Sequence, residues 1–231
     1  GIDQFVNTYN FIRRKHPSAS FTIVLIVCDQ GYQGLQSSLN NFGDFCSIAR
    51  VPGFVITNKI DGEKIINSQL IAPGFRIICV SQRLASEELI GLENIYSNQE
   101  NTIFQYADGK DATIVCFNFS FPYGWELCQK LKEEKIEAAL FTVNTATPIV
   151  WKRIIENAKK TQKLVLIDDS KSKNLSCYSL VVDILDECLL NKIIIIKRDM
   201  TGDWLSPNSE KLELNYKEII NELKVINNGR D

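Results

Sequence analysis

Polar residues that could take part in chemistry follow directly after a strongly apolar segment near the start of the chain. Residues 21–28 are uncharged and rich in β-branched side chains, which predicts a strand buried on both faces. Asp29 ends this run, at the position where open parallel sheets place functional side chains. Gln36, Ser37 and Asn40 follow in a polar loop and offer hydrogen-bond donors and acceptors without charge.

Each of these candidates has a structural alternative. Asp29 can cap backbone amides at the start of the loop, and its residue type favours that role. The loop, residues 30–41, either reaches a substrate or is a mobile surface loop. It contains no histidine, and amides and hydroxyls cannot shuttle a proton near neutral pH as imidazole does. The sequence therefore favours the surface loop.

The histidine, the cysteines and the adjacent carboxylates of the sequence do not predict a further catalytic or metal-binding site. His16 is the single histidine, so a histidine-based metal site and Ser/His/Asp or Cys/His catalysis lack a partner. The seven cysteines form no CxxC pair and no zinc spacing, and we predict that they are reduced and mostly structural, as in a cytoplasmic protein. Asp168 and Asp169 are adjacent, so their side chains leave a strand on opposite faces and make a poor carboxylate pair.

Composition narrows the class of protein. A length of 231 residues suits one large or two small domains, and 45% hydrophobic residues can form real cores. The net charge of -2, without a basic stripe, disfavours nucleic acid as a partner. The apolar runs are too short to span a bilayer. The chain opens at Gly1 without Met or signal peptide, which suggests a tag remnant, a processed chain or a fragment.

The second half has the clearest pattern of elements. Strand-like runs at 109–117, 138–143 and 163–169 alternate with helical segments that end near 135 and 161, which is typical of a parallel sheet covered by helices. Thr147 and Pro148 have the residue types of a helix start. Beyond residue 170 we predict a helix near 175–190, a strand at 192–197 and a helix near 215–226.

The pattern of apolar residues in the first half of the chain also predicts an α/β unit. Helices are predicted at 3–15, 42–50 and 62–70, and strands at 21–28, 53–57 and 75–80. The polar stretch that follows lacks strong periodicity and is interpreted as an inter-domain connection. The predicted organisation is a first domain at 1–82, a linker at 83–108 and a second domain at 109–231.

The second-half pattern resembles the C-terminal domain of transketolase-type thiamine diphosphate enzymes, and most nearly the beta subunit of pyruvate-type 2-oxoacid dehydrogenases. In the first half, Asp3 to Val6, residues 21–29 and residues 49–56 resemble parts of that family's pyrimidine-binding domain. The resemblance implies a partial pyrimidine-domain-like α/β unit, then a transketolase C-terminal-like α/β domain with a mainly parallel sheet.

The departures from the family concern its cofactor site. The metal-binding Gly-Asp-Gly motif is missing, and Asp61-Gly62 and Asp108-Gly109 are expected to be ordinary turns. The family's glutamate that activates thiamine diphosphate lies upstream of the helix at which this chain begins. Related dehydrogenase subunits bind potassium through an aspartate where this chain has Ala72, and Lys173 to Cys177 replace a glycine-rich turn.

These patterns favour a beta-type or C-terminal component of a split thiamine diphosphate-dependent transketolase or 2-oxoacid dehydrogenase. The alternative is a non-catalytic dimerisation protein, a pseudoenzyme derived from that family. We expect thiamine diphosphate and Mg²⁺ to be bound only through a partner subunit or a missing segment, with no cofactor and no metal held by this chain alone. We also expect a homo-oligomer, or a hetero-oligomer with a thiamine diphosphate-binding subunit, in the cytoplasm and without nucleic acid or membrane.

Overall fold

A computed structural model of the chain describes residues 2–29, 41–87, 89, 91–146, 149–198 and 212–224. Within these ranges the strands are β1 (Ser20–Val27), β2 (Gly53–Val55), β3 (Gly74–Ser81), β4 (Tyr96–Ser97), β5 (Ile103–Ala107), β6 (Ala112–Phe117), β7 (Ala138–Val143), β8 (Lys163–Asp168) and β9 (Lys192–Lys197). The helices are α1 (Ile2–Lys15), α2 (Phe42–Ala49), α3 (Lys59–Gln69), α4 (Gln82–Ala85), α5 (Phe121–Glu133), α6 (Lys152–Thr161), α7 (Cys177–Glu187) and α8 (Tyr216–Lys224). None of these helices has the length and apolar content needed to cross a membrane.

The first half forms a three-stranded parallel sheet in the order β1-β3-β2. One face packs on α1 and α2 in a single apolar cluster, which includes Phe75, Ile77 and Cys79 from β3. On the other face Ile78 packs with Ile65 of α3. Side chains of a strand alternate between faces, so successive residues of β3 serve two different layers.

The second half forms a six-stranded sheet in the order β4-β5-β7-β6-β8-β9. β7, β6, β8 and β9 are parallel, and β4 and β5 add an antiparallel edge. One face packs on α5 and α8, and the other on α6 and α7. The predicted strand, helix, strand, helix, strand order is confirmed, and so is the mainly parallel α/β fold.

A buried polar cluster joins the two sheets. Asp61 is fully buried, and its carboxylate accepts hydrogen bonds from the Asn144 side chain (2.9 Å) and from the backbone N–H groups of Thr57 (3.0 Å) and Asn58 (3.2 Å). The Asn144 side chain also donates to the Val55 carbonyl at 2.8 Å. Since Asn144 follows β7 and Asp61 lies in α3, these bonds fix one sheet against the other.

Two features differ from the expectations. Asp61-Gly62 was expected to form a turn but lies inside α3, where Asp61 and the N-cap Asn58 form a capping box. In the segment 83–108, expected to be a linker, β4 and β5 pair with the six-stranded sheet. β5 gave no alternating pattern because residues 103–106 are all buried.

The predicted boundaries of the two domains, 1–82 and 109–231, remain predictions. The expected helix start at Thr147 and Pro148 lies outside the described residues, and α6 begins at Lys152.

Candidate functional site

Asp29 lies at the carboxyl end of β1 and is buried. Its Oδ2 accepts a hydrogen bond from the Ser81 hydroxyl at 2.6 Å, and its Oδ1 accepts one from the Arg83 backbone N–H at 3.0 Å. Ser81 in turn caps α4 by accepting from the Leu84 backbone N–H at 3.1 Å. Asp29 therefore makes the capping contacts that its residue type suggested.

The other three candidates, Gln36, Ser37 and Asn40, lie outside the described residues. Whether their loop reaches a substrate stays a prediction.

Asp168 lies at the end of β8 and is completely buried. Its Oδ1 accepts from the Asn118 side chain at 2.7 Å and from the Ser170 backbone N–H at 3.0 Å, and its Oδ2 accepts from the Cys177 backbone N–H at 3.3 Å. Burial raises the pKa of the Asp168 carboxyl, and these donors oppose that rise. The carboxylate holds the start of α7 against the ends of β6 and β8.

This contact occupies the place where open α/β sheets usually bind ligands. The chain passes from β6 to β7 on one side and then to β8 on the other, so the topology reverses between β6 and β8. Ligands of such sheets bind in the crevice outside the strand ends at this point. Here the hydrogen bond from Asn118 to Asp168 bridges the two strand ends. Among the described residues, this hydrogen bond spans the crevice.

Asp169 turns away from Asp168, as predicted for adjacent residues on a strand. Its Oδ2 lies 3.2 Å from Arg83 Nη2 and 3.5 Å from Arg198 Nη2, and all three side chains are largely buried. Arg83 also donates from Nη1 to the Tyr123 hydroxyl at 3.2 Å. Neither arginine can be identified from the sequence, because no spacing signal connects residues so distant in the chain.

A cleft of about 790 Å³ opens beside α3. Most of its walls are apolar, from residues of α3, β3 and the segment after it, including Ile60, Ile66, Val80 and Leu89. Lys59, Glu63 and Glu87 also line it. Its shape and lining suit an apolar segment better than a charged substrate.

Beside this cleft, one face of β1 is bare. Val24 and Ile26 point to the same face as Ile78 and Val80, but they are 56% and 58% exposed. Val80 neighbours Ile26 in the sheet and lines the cleft together with Ile66. We call Val24, Ile26, Ile66, Leu70 and Ile71, all exposed, the open face.

The edge of β1 is also open, because within the described ranges this strand pairs only with β3. The expectation that β1 is buried on both faces is therefore wrong for this chain by itself. Its apolar sequence is that of an internal strand, yet one edge and one face have no covering element in the described structure.

The described residues can be compared with the metal and cofactor sites of the family that the sequence resembles. They contain no group of three or more His, Cys, Asp or Glu side chains placed to hold a metal ion. Asp61, from one of the two Asp-Gly pairs, is fully engaged in the junction between the sheets. At the segment compared with a potassium site, the carbonyls of Ala72, Pro73 and Gly74 accept from Arg76 Nη2. These three carbonyls are therefore occupied by a guanidinium group in this chain.

Comparison with known proteins agrees with this architecture, although no family model matches the sequence. The chain is similar to the pyruvate dehydrogenase E1 component subunit beta of Rhizobium meliloti (strain 1021), with 26% identity over 126 residues. That match covers 51% of this chain and 26% of the relative, so it spans about a quarter of the relative's length.

Two solved structures are similar over almost the whole chain. A split gene transketolase, described as an inactive beta4 tetramer, matches with a TM-score of 0.63 and 15% identity, covering 94% of this chain and 70% of that one. The transketolase of Campylobacter jejuni subsp. jejuni NCTC 11168 matches with a TM-score of 0.54 and 11% identity, covering 95% of this chain and 32% of that one. Both matches include both sheets, and they confirm the predicted resemblance: this chain has the fold of the C-terminal part of transketolase-type enzymes.

Proposed function

We propose that this chain is the C-terminal component of a split, transketolase-like thiamine diphosphate enzyme and is inactive by itself. The assembly would carry out transfer or decarboxylation at a 2-keto or ketose substrate. Support comes from the fold and from two relatives, one named as a subunit and the other as the product of a split gene. The cofactor glutamate and the metal-binding motif would come from a partner polypeptide.

The observation that carries this proposal is the open face together with the open edge of β1. An exposed apolar edge strand is a template for pairing with another chain. The three-stranded sheet is entirely parallel, so the element that continues it in the same manner is a parallel strand. A helix following that strand would lie over Val24 and Ile26.

A second copy of this chain meets only part of that requirement. If two β1 strands paired edge to edge, the second copy would extend the sheet in its own plane. The backbone hydrogen bonds of β1 would be satisfied, but the side chains of Val24 and Ile26 would stay exposed. A strand followed by a helix covers both the edge and the face. We therefore assign the open face to a partner polypeptide that supplies such a unit.

The first test is cofactor binding by the chain alone. Calorimetric titration with thiamine diphosphate and Mg²⁺ should show no saturable heat, because the family's glutamate and metal motif lie in other segments. Micromolar binding by the isolated chain would contradict the proposal.

The second test is assembly with a polypeptide that carries the Gly-Asp-Gly motif and the cofactor glutamate. The pair Val24→Lys and Ile26→Lys should abolish co-elution of the two chains, because it places two charges under the covering helix. Val182→Lys is the matched control, since Val182 is 56% exposed on α7, a helix that packs on the six-stranded sheet. Equal loss of co-elution in both variants would contradict the assignment of the open face.

A second candidate function is a non-catalytic interaction protein. It is favoured by one observation: Asp29, Asp168 and Asp169 are all engaged in contacts within the chain. The two candidates separate in the assembled complex. Replacing Gln36, Ser37 and Asn40 by Ala should lower turnover by about tenfold or more if the loop belongs to an active site, while assembly stays intact. A stable complex without turnover would select the interaction protein.

A further inference from the structure

Arg76 is a buried charge without an acidic partner in the described structure. It lies on β3 and is 3% exposed. None of the ion pairs of the described residues includes it. Buried arginines are rare unless they are paired, because removing a charge from water is costly. The surrounding neutral groups must therefore solvate this guanidinium.

Five neutral oxygen atoms surround it. Nη2 donates to the carbonyls of Ala72 at 2.6 Å, Pro73 at 2.9 Å and Gly74 at 2.9 Å. Nη1 donates to the hydroxyls of Ser20 at 2.7 Å and Thr22 at 3.3 Å. Nη2 has two N–H bonds but lies close to three carbonyl oxygens. At least one of these oxygens is therefore attracted by the positive charge as a whole and not by a hydrogen bond of its own.

Other contacts also shape the turn that presents these carbonyls. Gly74 has a φ of 101°, in the region that favours glycine, and its N–H donates to the Ala19 carbonyl at 2.8 Å. The Ser20 hydroxyl donates to the Leu70 carbonyl at 2.8 Å on the other side of the turn. Three successive carbonyls are thereby aimed at one point, where they form a concave, electronegative site.

We propose that the turn Ala72–Gly74 is a monovalent-cation site in which the side chain of Arg76 has replaced the ion. Hard oxygen ligands of this kind suit small cations, and a covalently attached guanidinium is present at every ion concentration. Arg76 thus ties the start of β1 and the end of α3 to β3, beside the open face. This inference is independent of the partner polypeptide and of any enzymatic activity.

The test is thermal unfolding of the chain in potassium chloride and in choline chloride at equal ionic strength. The wild type should unfold at the same temperature in both salts, because Arg76 already fills the site. Arg76→Ala should lower the unfolding temperature by roughly 5 °C in choline chloride and recover part of that loss in potassium chloride. Ile77→Ala, the control, removes a buried side chain from the same strand and should be equally destabilised in both salts.

A second pair of variants tests the site if Arg76→Ala does not fold. Arg76→Lys keeps a cation that can reach the carbonyls, and Arg76→Met keeps the volume without the charge. We expect Arg76→Lys to unfold at a higher temperature than Arg76→Met. If Arg76→Met is as stable as the wild type, or if a folded Arg76→Ala responds equally to both salts, the proposal is overturned.

Discussion

Two edge strands, β1 of the three-stranded sheet and β9 of the six-stranded sheet, differ in how they are protected. β9 begins and ends with lysine: Lys192 Nζ lies 2.6 Å from a carboxylate oxygen of Glu222, and Lys197 Nζ lies 3.4 Å from the Tyr178 hydroxyl. β1 contains no charged residue and no proline. Lysines at an edge discourage pairing with other chains, and their absence leaves pairing possible. β9 therefore carries side chains that discourage pairing with another chain, whereas β1 carries none of them.

The layers around the two sheets show the same difference. The six-stranded sheet has helices on both faces, and its central strands β6 and β7 are buried along their whole length. Within the described ranges, one face of the three-stranded sheet packs on α1 and α2, and the open face remains exposed beside α3. Among the described residues, helices therefore cover both faces of the six-stranded sheet, whereas the open face of the three-stranded sheet has no covering element.

Asp61→Ala should break the attachment between the two units and produce the largest loss of stability. The substitution leaves the Asn144 amide and the Thr57 and Asn58 backbone N–H groups without their acceptor in a buried site. We expect the free energy of unfolding at neutral pH to fall by about 3 kcal/mol. Urea unfolding measures the loss.

The control for this change is Asp108→Ala. Asp108 is exposed and accepts only a local bond from Gly109, so its replacement should change stability by no more than about 0.5 kcal/mol. Equal losses in the two variants would show that the junction does not stabilise the pair of sheets.

The buried carboxyl group of Asp61, which joins the two sheets, should make the stability of the chain depend on pH. Burial raises the pKa of Asp61 from 3.8 to about 6, and the hydrogen bonds to its carboxylate limit the rise. The folded state thus binds this proton more tightly than the unfolded state. Protonated Asp61 therefore adds about 3 kcal/mol to the free energy of unfolding. This stabilisation is fully present below about pH 4 and is lost as the pH rises through 6.

Asp61→Ala lacks this group, so the difference in unfolding free energy between wild type and variant isolates it. That difference should shrink as the pH rises from 4 to 7, when both proteins are unfolded with urea at each pH. A constant difference would show that Asp61 has an ordinary pKa in the folded chain.

The sequence predicted the four parallel strands of the six-stranded sheet better than the contact between Asp61 and Asn144, because the two depend on different kinds of information. Runs such as Ala138–Val143 are buried on both sides, so their apolar composition alone identifies the strand. The bond between Asn144 and Asp61 joins residues 83 positions apart. Nothing local in either segment signals the other, which is why Asp61-Gly62 was interpreted as a turn.

The same limit applies to the candidate site. The position of Asp29 at a strand end was readable from the sequence, and so was the divergence of Asp168 from Asp169. Arg83 could not be found, since it lies in the segment expected to be a linker and meets Asp169 only in the folded chain. The apolar sequence of β1 revealed a strand for the interior of a sheet, but only the structure shows which edge and which face are uncovered.

Ile26→Lys should have the smallest effect on folding and still distinguish the two edges. Ile26 is 58% exposed, so in the isolated chain the free energy of unfolding should change by no more than about 0.5 kcal/mol. Without its partner, the chain is expected to self-associate through the edge of β1, which has no charged residue. A lysine on this strand should reduce that association. Light scattering over a range of protein concentrations measures the change in mass. Ile195→Lys on the guarded strand β9 is the control and should leave the mass unchanged. If the control lowers the mass as much as Ile26→Lys does, the two edge strands are equivalent in self-association, and β1 is not the preferred pairing edge.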